Sequence, residues 1–272
     1  MVALRLLLKR GFIEGELKIS KFVITGAASG IGREVAKMLG DAGHEIISID
    51  LRDADIIADL STADGRQKAI TETLDKTGSE IDGLITAAGM GGHLPDGKLV
   101  MIVNYFGTVE LLDGLFPAMK GRPGAVALAL SSNSAQMGVD PENELVKALL
   151  AHDEQAAIDI VGDAPSAGTY GLSKHAVARA VRRRAHEWGT AGVRLNAIAP
   201  GMTETPMLQG VRDNPDLKGA LEAIPVPLNR TANVEEIANI IVMMVSDALS
   251  FMHGSVVYVD GGTDAVVRPD QF

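Results

Sequence analysis

The chain has 272 residues, 46% hydrophobic and 22% charged, which is typical of one large domain with a buried core. Its formal net charge of −10 at pH 7 argues against a broad surface for nucleic acid or anionic membranes. The longest apolar stretches, such as 240–245, fall short of the ~18 residues needed to span a bilayer. The sequence has no cysteine, which excludes disulfides and thiolate chemistry and fits a cytoplasmic location. We therefore expect neither a nucleic-acid nor a membrane partner.

Strands and helices alternate along most of the chain. Short apolar segments predict strands and amphipathic segments predict helices. The expected strands are 21–25, 45–49, 81–87, 125–130, 193–198 and 255–259, and the expected helices are 33–42, 65–76, 99–119, 170–188 and 234–245. This alternation predicts an α/β fold, a single doubly wound (Rossmann-type) parallel sheet with helices on both faces.

Three segments depart from this alternation. Residues 1–20 are an N-terminal extension of unknown role that precedes a catalytic domain over 21–272. Residues 139–167 are an insertion with a helical piece over 142–160. Residues 203–231 are rich in proline and glycine and predict a lid over a substrate. Long connections in a compact domain usually carry function.

A glycine-rich turn follows the first predicted strand. Its glycines permit a tight turn and let the backbone approach a pyrophosphate, while the next helix offers free N–H groups. The cofactor-binding candidates in this turn are Gly26, Ser29, Gly30, Ile31 and Gly32.

Asp50 ends the second predicted strand, 18 residues after Gly32. In dinucleotide-binding units, a carboxylate near this distance binds the adenosine ribose hydroxyls and repels a 2′-phosphate. Arg52 points the other way, because an arginine there can accept that phosphate. We expect NAD, since Asp50 occupies the strand end itself.

Tyr170 and Lys174 lie four residues apart at the start of a predicted helix, which places them on one face. A free phenol has a pKa of ~10, and a neighbouring ammonium lowers that pKa toward the working range. This spacing is common by chance, but small and polar residues also follow the other predicted strands. They are Thr86 to Gly89, Asn104, Ser131, Ser132 and the segment 200–205. Ligands bind at such strand ends in open α/β sheets.

With these motifs in this order, the chain resembles the short-chain dehydrogenase/reductase family from about Lys21 onward. Within that family it is most similar to the bacterial 3α-hydroxysteroid dehydrogenase/carbonyl reductases, through the stretches 49–54, 58–63, 103–107, 191–196 and 268–272. The resemblance implies an NAD(H)-dependent oxidoreductase that interconverts a secondary alcohol and a ketone, with an apolar small-molecule alcohol or ketone as its substrate, expected to be a 3α-hydroxysteroid or another bulky apolar carbonyl.

The resemblance also implies a role for each matching residue. Tyr170 would donate the proton in reduction and accept it in oxidation, and Lys174 would also bind the nicotinamide ribose. Ser132 would hold the substrate oxygen, with Ser131 as the alternative, and Asn104 would hold a water in the proton relay. The other implied cofactor contacts are Asp59 and Leu60 at the adenine, Ala87, Ala88 and Gly89 at the adenosine side, Thr203 and Thr205 at the carboxamide and phosphates, and Pro200 and Gly201.

Two departures from the family pattern stand out. Thr86 replaces the usual asparagine, which would weaken one contact that stabilises the sheet without affecting the chemistry. In addition, Tyr170 follows Ser132 by 38 positions, far more than in most members. The excess is the 139–167 insertion, which the hydroxysteroid group also shows.

Three functions remain open at this point. The first is a dehydrogenase of hydroxysteroids or similarly bulky apolar carbonyls, and the second applies the same chemistry to a smaller aryl or terpene alcohol. The third is a cofactor-binding regulator without turnover, which the intact Ser132, Tyr170 and Lys174 disfavour. Flexible apolar residues at Met202, Met207 and Leu208 would suit a greasy substrate, although ordinary loop packing explains them equally well.

The remaining expectations concern assembly and residues outside the site. Family members often pair through two long helices, here 99–119 and 170–188, and the insertion would obstruct or extend that contact. We expect a homo-oligomer, a dimer or a tetramer. The sequence predicts no metal site, since His93, His175, His186 and His253 lack ligand spacing and are expected to be structural. Arg182, Arg183 and Arg184 are expected to be solvated, and Tyr105 is expected in the core.

Overall fold

The computed structural model describes residues 19–140 and 142–271. Most of the predicted N-terminal extension therefore lies outside the described residues. In the described part of the chain, parallel strands form one sheet in the order β3-β2-β1-β4-β5-β6-β7. The strands are β1 Lys21–Thr25, β2 Glu45–Asp50, β3 Ile56–Ile57, β4 Gly83–Thr86, β5 Val126–Leu130, β6 Arg194–Pro200 and β7 Val256–Val259. The two-residue edge strand β3 was not predicted.

Helices cover both faces of this sheet. They are α1 Gly30–Asp41, α2 Ala63–Thr77, α3 Gly97–Met101, α4 Gly107–Leu115, α5 Glu144–Leu150, α6 Glu154–Val161, α7 Ser166–Thr190, α8 Pro206–Asp213, α9 Pro215–Glu222, α10 Val234–Val245 and α11 Thr263–Val267. The strands alternate their side chains between two hydrophobic clusters, so that Val23 faces one while Phe22 and Ile24 face the other. The doubly wound parallel sheet is thus confirmed.

The chain adds strands to one side of β1 up to β3 and to the other side from β4 onward. The sheet has a crevice at this point of reversal. Strand β1 pairs with β2 on one side and with β4 on the other, and Thr25 is opposite both Ile49 and Thr86. The loops that leave β1 and β4 therefore separate to opposite faces. Open α/β sheets bind ligands at such a point.

The helix predicted over 99–119 is not a regular α-helix. A π-helical turn, Ile102–Phe106, separates α3 from α4, and Gly107 N donates to the carbonyl of Ile102 across the wider turn. The segment Gly97–Ala118 has the length and mean hydropathy, 1.5, of a membrane span, but 67% of its most apolar stretch is buried inside the protein. We interpret it as a core segment, because it packs on α7 and the sheet.

The insertion forms two helices where one helical piece was expected. Asn143 and Asp153 cap α5 and α6 by accepting hydrogen bonds from Leu145 N and Ala156 N. The second cap starts a new helix and so breaks the predicted one. Helix α5 packs on α7 and buries Leu145 in the same core.

Helix α7 begins at Ser166, one turn earlier than the predicted start at Tyr170. Tyr170 therefore lies in the second turn of an established helix. The Ser166 hydroxyl donates to the carbonyl oxygens of Gly92 and Leu94, which attaches the loop after β4 to the start of α7.

The predicted lid contains two helices that the proline and glycine content concealed. Thr205 caps α8 by accepting from Leu208 N, and Asn214 caps α9 by accepting from Asp216 N. Pro206 and Pro215 each follow the cap, where a fixed φ and a missing N–H cost a helix nothing. Prolines that predicted an irregular loop in fact begin the two helices.

Candidate active site

A cavity of about 810 Å³ lies at the carboxyl ends of the strands, beneath α8 and α9. Its wall includes the proposed catalytic residues Ser132, Tyr170 and Lys174. It also includes the cofactor candidates Gly26, Ser29, Gly30, Ile31, Gly32, Asp50, Asp59, Leu60, Ala87, Ala88, Gly89, Pro200, Gly201, Thr203 and Thr205. Segments spread over nearly 180 residues of sequence thus meet at one place.

The glycine-rich turn leaves no room for side chains. Gly26 has a φ of 69°, and a Cβ there would lie 2.7 Å from the backbone of Ala88. A Cβ on Gly32 would lie 2.3 Å from the carbonyl oxygen of Gly26. Ser29 precedes α1 and makes no side-chain capping bond within the described chain, so the first N–H groups of the helix stay available. This arrangement fits a dinucleotide pyrophosphate.

Asp50 is held at the end of β2 by the neighbouring backbone. Its Oδ2 accepts from Ala28 N at 2.9 Å, and its Oδ1 accepts from Leu51 N at 2.7 Å. Each oxygen keeps a lone pair for a ligand hydroxyl. Arg52 is exposed and lies outside the cavity wall.

The Tyr170 hydroxyl is hydrogen-bonded to the side chain of Ser132. Burial raises the pKa of Tyr170, and the Ser132 hydrogen bond opposes part of that rise. The sequence predicted that Lys174 lowers this pKa, and that prediction is wrong, because the pKa is raised. The physical reason is that removal of the phenolate from water outweighs the opposing contribution.

Lys174 points toward the sheet. Its Nζ donates to the carbonyl oxygen of Leu130 at 2.9 Å, and burial lowers its pKa to about 8. The Ser131 hydroxyl donates to the carbonyl of Lys174 at 2.8 Å. Ser131 is therefore engaged with the helix backbone while Ser132 faces Tyr170, which favours Ser132 as the substrate-binding serine.

Helix α7 also fixes the turn that follows β5. The His175 ring lies 2.7 Å, Nδ1 to oxygen, from the carbonyl of Ala135, and burial lowers the pKa of His175. Together with the bonds of Lys174 to Leu130 and Ser131, this contact holds the segment that carries Ser132. His175 is structural, as expected.

Asn104 lies in the π-helical turn and is fully buried. Its Oδ1 accepts from Met90 N at 2.8 Å, and its Nδ2 donates to Met90 O at 3.0 Å. A Cβ on Gly89 would approach both Asn104 Oδ1, at 3.1 Å, and Lys174 Nζ, at 3.3 Å. The Asn104 side chain thus positions the loop after β4, and its role in a water relay stays a prediction.

Thr86 and Tyr105 behave as the sequence suggested. The Thr86 hydroxyl is buried with no hydrogen-bond partner among the described residues, consistent with a lost sheet-stabilising contact. Tyr105 is in the core at 2% exposure. Arg182 and Arg183 are exposed, but the prediction for Arg184 needs correction, because Arg184 forms a two-point ion pair with Asp113.

Part of the cavity wall was missed from the sequence. It comprises the loop residues Met90, Gly91, Gly92, His93 and Leu94 and the apolar side of the second lid helix and its end, Leu217, Ala220, Leu221 and Ile224. The latter follow an i, i+3, i+4, i+7 spacing, a helical signal that the surrounding prolines obscured. Met202, Met207 and Leu208 also line the cavity.

The His93 ring lies between its own loop after β4 and helix α8. A Cβ on Gly210 of α8 would lie 2.4 Å from His93 Nε2, and a Cβ on Gly91 would lie 2.7 Å from its Nδ1. Only glycines leave room for the ring at these two positions. Helix α8 therefore packs directly on the loop after β4.

Comparisons with known proteins agree with this geometry. Residues 20–142 match the short chain dehydrogenase family model, and residues 156–264 match a model described as enoyl-(acyl carrier protein) reductase. The chain is 45% identical to the 3-alpha-hydroxysteroid dehydrogenase/carbonyl reductase of Comamonas testosteroni, over 93% of this chain and 100% of that protein.

Two further relatives differ in the substrate that they are named for. The 3-alpha-hydroxysteroid dehydrogenase from Pseudomonas sp. B-0831, solved in complex with NADH, superposes with a TM-score of 0.91 at 40% identity, covering 93% of this chain and 100% of that chain. A coniferyl-alcohol dehydrogenase from Pseudomonas sp. is 31% identical, over 91% of this chain and 97% of that protein.

Proposed function

Because the chain belongs to the short-chain dehydrogenase/reductase family and is a nicotinamide-dependent oxidoreductase, we propose that it uses NAD(H) to interconvert a secondary alcohol and a ketone. The proposed substrate is a 3α-hydroxysteroid or another bulky apolar carbonyl compound. The observation that carries the proposal is that Ser132, Tyr170 and Lys174 share the wall of a cavity whose lid side is apolar.

Asp50 supports NAD over NADP. Its carboxylate is fixed at the end of β2, where a 2′-phosphate would meet like charge. The exposed Arg52 lies outside the cavity wall, which weakens the case for a phosphate-binding arginine. The Pseudomonas relative solved with NADH agrees with this choice.

The proposed chemistry assigns one task to each polar residue. When bound, the nicotinamide would supply the hydride acceptor in oxidation and the hydride donor in reduction. Tyr170 moves the hydroxyl proton, and Ser132 holds the reacting oxygen within hydrogen-bond reach of it. Lys174 contributes a buried positive charge beside the proposed ribose site.

The lid side of the cavity supports a bulky apolar substrate. Leu217, Leu221 and Ile224 from the second lid helix and its end line the cavity together with Met207 and Leu208 from the first. Apolar walls with a few polar groups at one end orient a ligand by its reacting oxygen. The coniferyl-alcohol relative keeps a smaller aryl alcohol as the second candidate.

A panel assay tests the assignment. NADH fluorescence would be followed with 3-hydroxysteroids, 3-oxosteroids, aryl alcohols and quinones, each with NAD(H) and NADP(H). We expect the highest kcat/KM for a 3α-hydroxysteroid with NAD. Higher kcat/KM for the aryl alcohols would favour the second candidate, and activity with NADPH alone would overturn the argument from Asp50. NADH binding without any turnover would indicate a regulator.

We also propose that the enzyme is a cytoplasmic homo-oligomer. Helix α5 packs on α7, so the insertion covers part of a helix through which family members often pair. This favours pairing through another face. A monomeric mass by light scattering would contradict the proposal.

A further inference from the structure

Ser134 lies two residues after Ser132, in the short 3₁₀ turn Asn133–Gln136 that follows β5. Its hydroxyl donates to Ser132 Oγ at 2.9 Å, and its backbone N–H donates to the same oxygen at 3.2 Å. Ser134 also lines the cavity that holds Tyr170. Neither the family pattern nor the spacing of Tyr170 and Lys174 pointed to this residue.

These two bonds determine how Ser132 uses its own proton. A serine hydroxyl has one proton and two acceptor lone pairs. Ser134 occupies both lone pairs of Ser132, so Ser132 can take part in another hydrogen bond only as a donor. Its other partner is the Tyr170 hydroxyl.

We propose that Ser134 is a positioning residue that fixes the Ser132 hydroxyl as a donor toward the Tyr170 oxygen and the substrate oxygen. The inference rests on the proposed dehydrogenase function. A fixed donor at this place stabilises negative charge on either oxygen, and it does so without reorientation during the reaction.

The titratable groups around Tyr170 do not include Ser134, so the effect of Ser134 on Tyr170 can be tested separately from theirs. The titratable side chains on the same cavity wall are Lys174 on α7, His93 on the loop after β4, and Asp50 and Asp59 at the cofactor end. His175 lies behind the turn, bonded to Ala135. A substitution at Ser134 leaves all of these groups in place.

Removal of the Ser134 hydroxyl has a directional effect on Tyr170. In alcohol oxidation Tyr170 must be deprotonated, so the rate rises as the pH passes through its pKa. A Ser132 hydroxyl that donates stabilises the phenolate and lowers that pKa. Without Ser134 Oγ, Ser132 regains a free lone pair, donates less often, and the pKa of Tyr170 rises.

The decisive variant is Ser134→Ala, with Ser134→Thr as the conservative variant and Ser250→Ala as a matched control at an exposed serine. The backbone N–H bond to Ser132 persists in all three. Ser134 is half-buried and borders a second cavity of about 410 Å³, so changes there do not displace the core. Ser134→Cys keeps the volume with a weak donor, in a chain that has no other cysteine.

Kinetics provide the first measurement. We expect Ser134→Ala to lower kcat for oxidation roughly three- to tenfold at neutral pH, in line with the loss of one hydrogen bond, with little change in KM. Its pH profile should move to higher pH, Ser134→Cys should behave similarly, and Ser134→Thr and Ser250→Ala should match the wild type. Wild-type kcat and an unmoved profile in Ser134→Ala would overturn the inference.

A spectroscopic titration provides the second measurement and does not depend on turnover. The chain has three tyrosines, so subtracting the ultraviolet titration of Tyr170→Phe from that of the whole protein isolates Tyr170. We expect the isolated pKa to be higher in the Ser134→Ala background. An unchanged value would refute the role of Ser134 even in an inactive protein, whereas a raised value without turnover would refute only the proposed function.

Discussion

The Lys174 ammonium group donates a hydrogen bond to the main-chain carbonyl of Leu130, and this 2.9 Å contact joins α7 to the last residue of β5. The lysine is only 4% exposed, and burial lowers its pKa to about 8. A neutral carbonyl replaces only part of the solvation that the ammonium loses. The protein therefore keeps a positive charge beside its proposed reaction centre at a cost in stability.

This cost predicts a pH-dependent effect of Lys174→Met on stability. Because the folded-state pKa of about 8 lies below the ordinary 10.5, the unfolded chain binds the proton more tightly. The folded protein is thereby destabilised by roughly 3 kcal/mol below pH 8, and the cost fades as the pH rises toward about 10.5. Loss of the Leu130 hydrogen bond offsets about 1 kcal/mol of the gain at every pH.

The measurement is thermal unfolding of the wild type and Lys174→Met at pH 7 and pH 10. We expect the melting temperature of the variant minus that of the wild type to be higher at pH 7 than at pH 10. The variant should be inactive at both values. A difference that does not vary with pH would show that the buried charge carries no such cost.

Asp50→Asn should relax the choice of cofactor. Asparagine keeps an acceptor for Ala28 N but removes the charge that repels a 2′-phosphate. We expect kcat/KM with NAD to fall roughly tenfold or more, as charged hydrogen bonds to the ribose are lost, and activity with NADP to rise. Steady-state kinetics with both cofactors check this, with Arg52→Ala as the control that leaves NAD kinetics unchanged. An unaltered preference for NAD would contradict the assignment of Asp50.

Arg66→Met should destabilise the packing of the insertion. Arg66 is 1% exposed and pairs through Nε with Glu110 at 2.7 Å and through a terminal nitrogen with Glu154 of α6 at 2.5 Å. Removing it leaves two carboxylates close together, although both reach solvent in part. We expect the free energy of unfolding in urea to fall by about 3 kcal/mol, at the lower end for broken buried pairs. Arg182→Ala, at an exposed position, is the control, and equal stability of the two variants would argue against this role.

Periodicity and strand-end chemistry predicted the parts of the fold that follow local rules. Apolar strands such as Lys21–Thr25 and Val126–Leu130 are buried on both faces, so their composition alone marks them. The carboxyl ends of parallel strands converge, which is why Asp50, Ser132 and Gly201 reach one cavity. The order of the elements and the direction of the strands are enough to predict where these three residues lie.

Periodicity and strand order do not predict features that depend on tertiary contacts. The π-helical turn that holds Asn104 closes on Met90, a contact across 14 residues of sequence. The lid helices begin at prolines, which read equally well as loop residues. The direction in which Ser132 shares its proton depends on the 2.9 Å contact with Ser134. Burial raises the pKa of Tyr170, and the spacing of residues along the sequence does not show how deeply a side chain is buried.

The role of Tyr170 in proton transfer is tested by the turnover of Tyr170→Phe, measured beside its binding of NADH. The substitution removes only the hydroxyl that is hydrogen-bonded to Ser132 and leaves the glycine-rich turn and Asp50 untouched. We expect kcat for a 3α-hydroxysteroid to fall roughly a thousandfold, as for the loss of a general acid–base, while NADH fluorescence titration gives the wild-type dissociation constant. Wild-type turnover in this variant would contradict the assignment of Tyr170 as the residue that moves the proton.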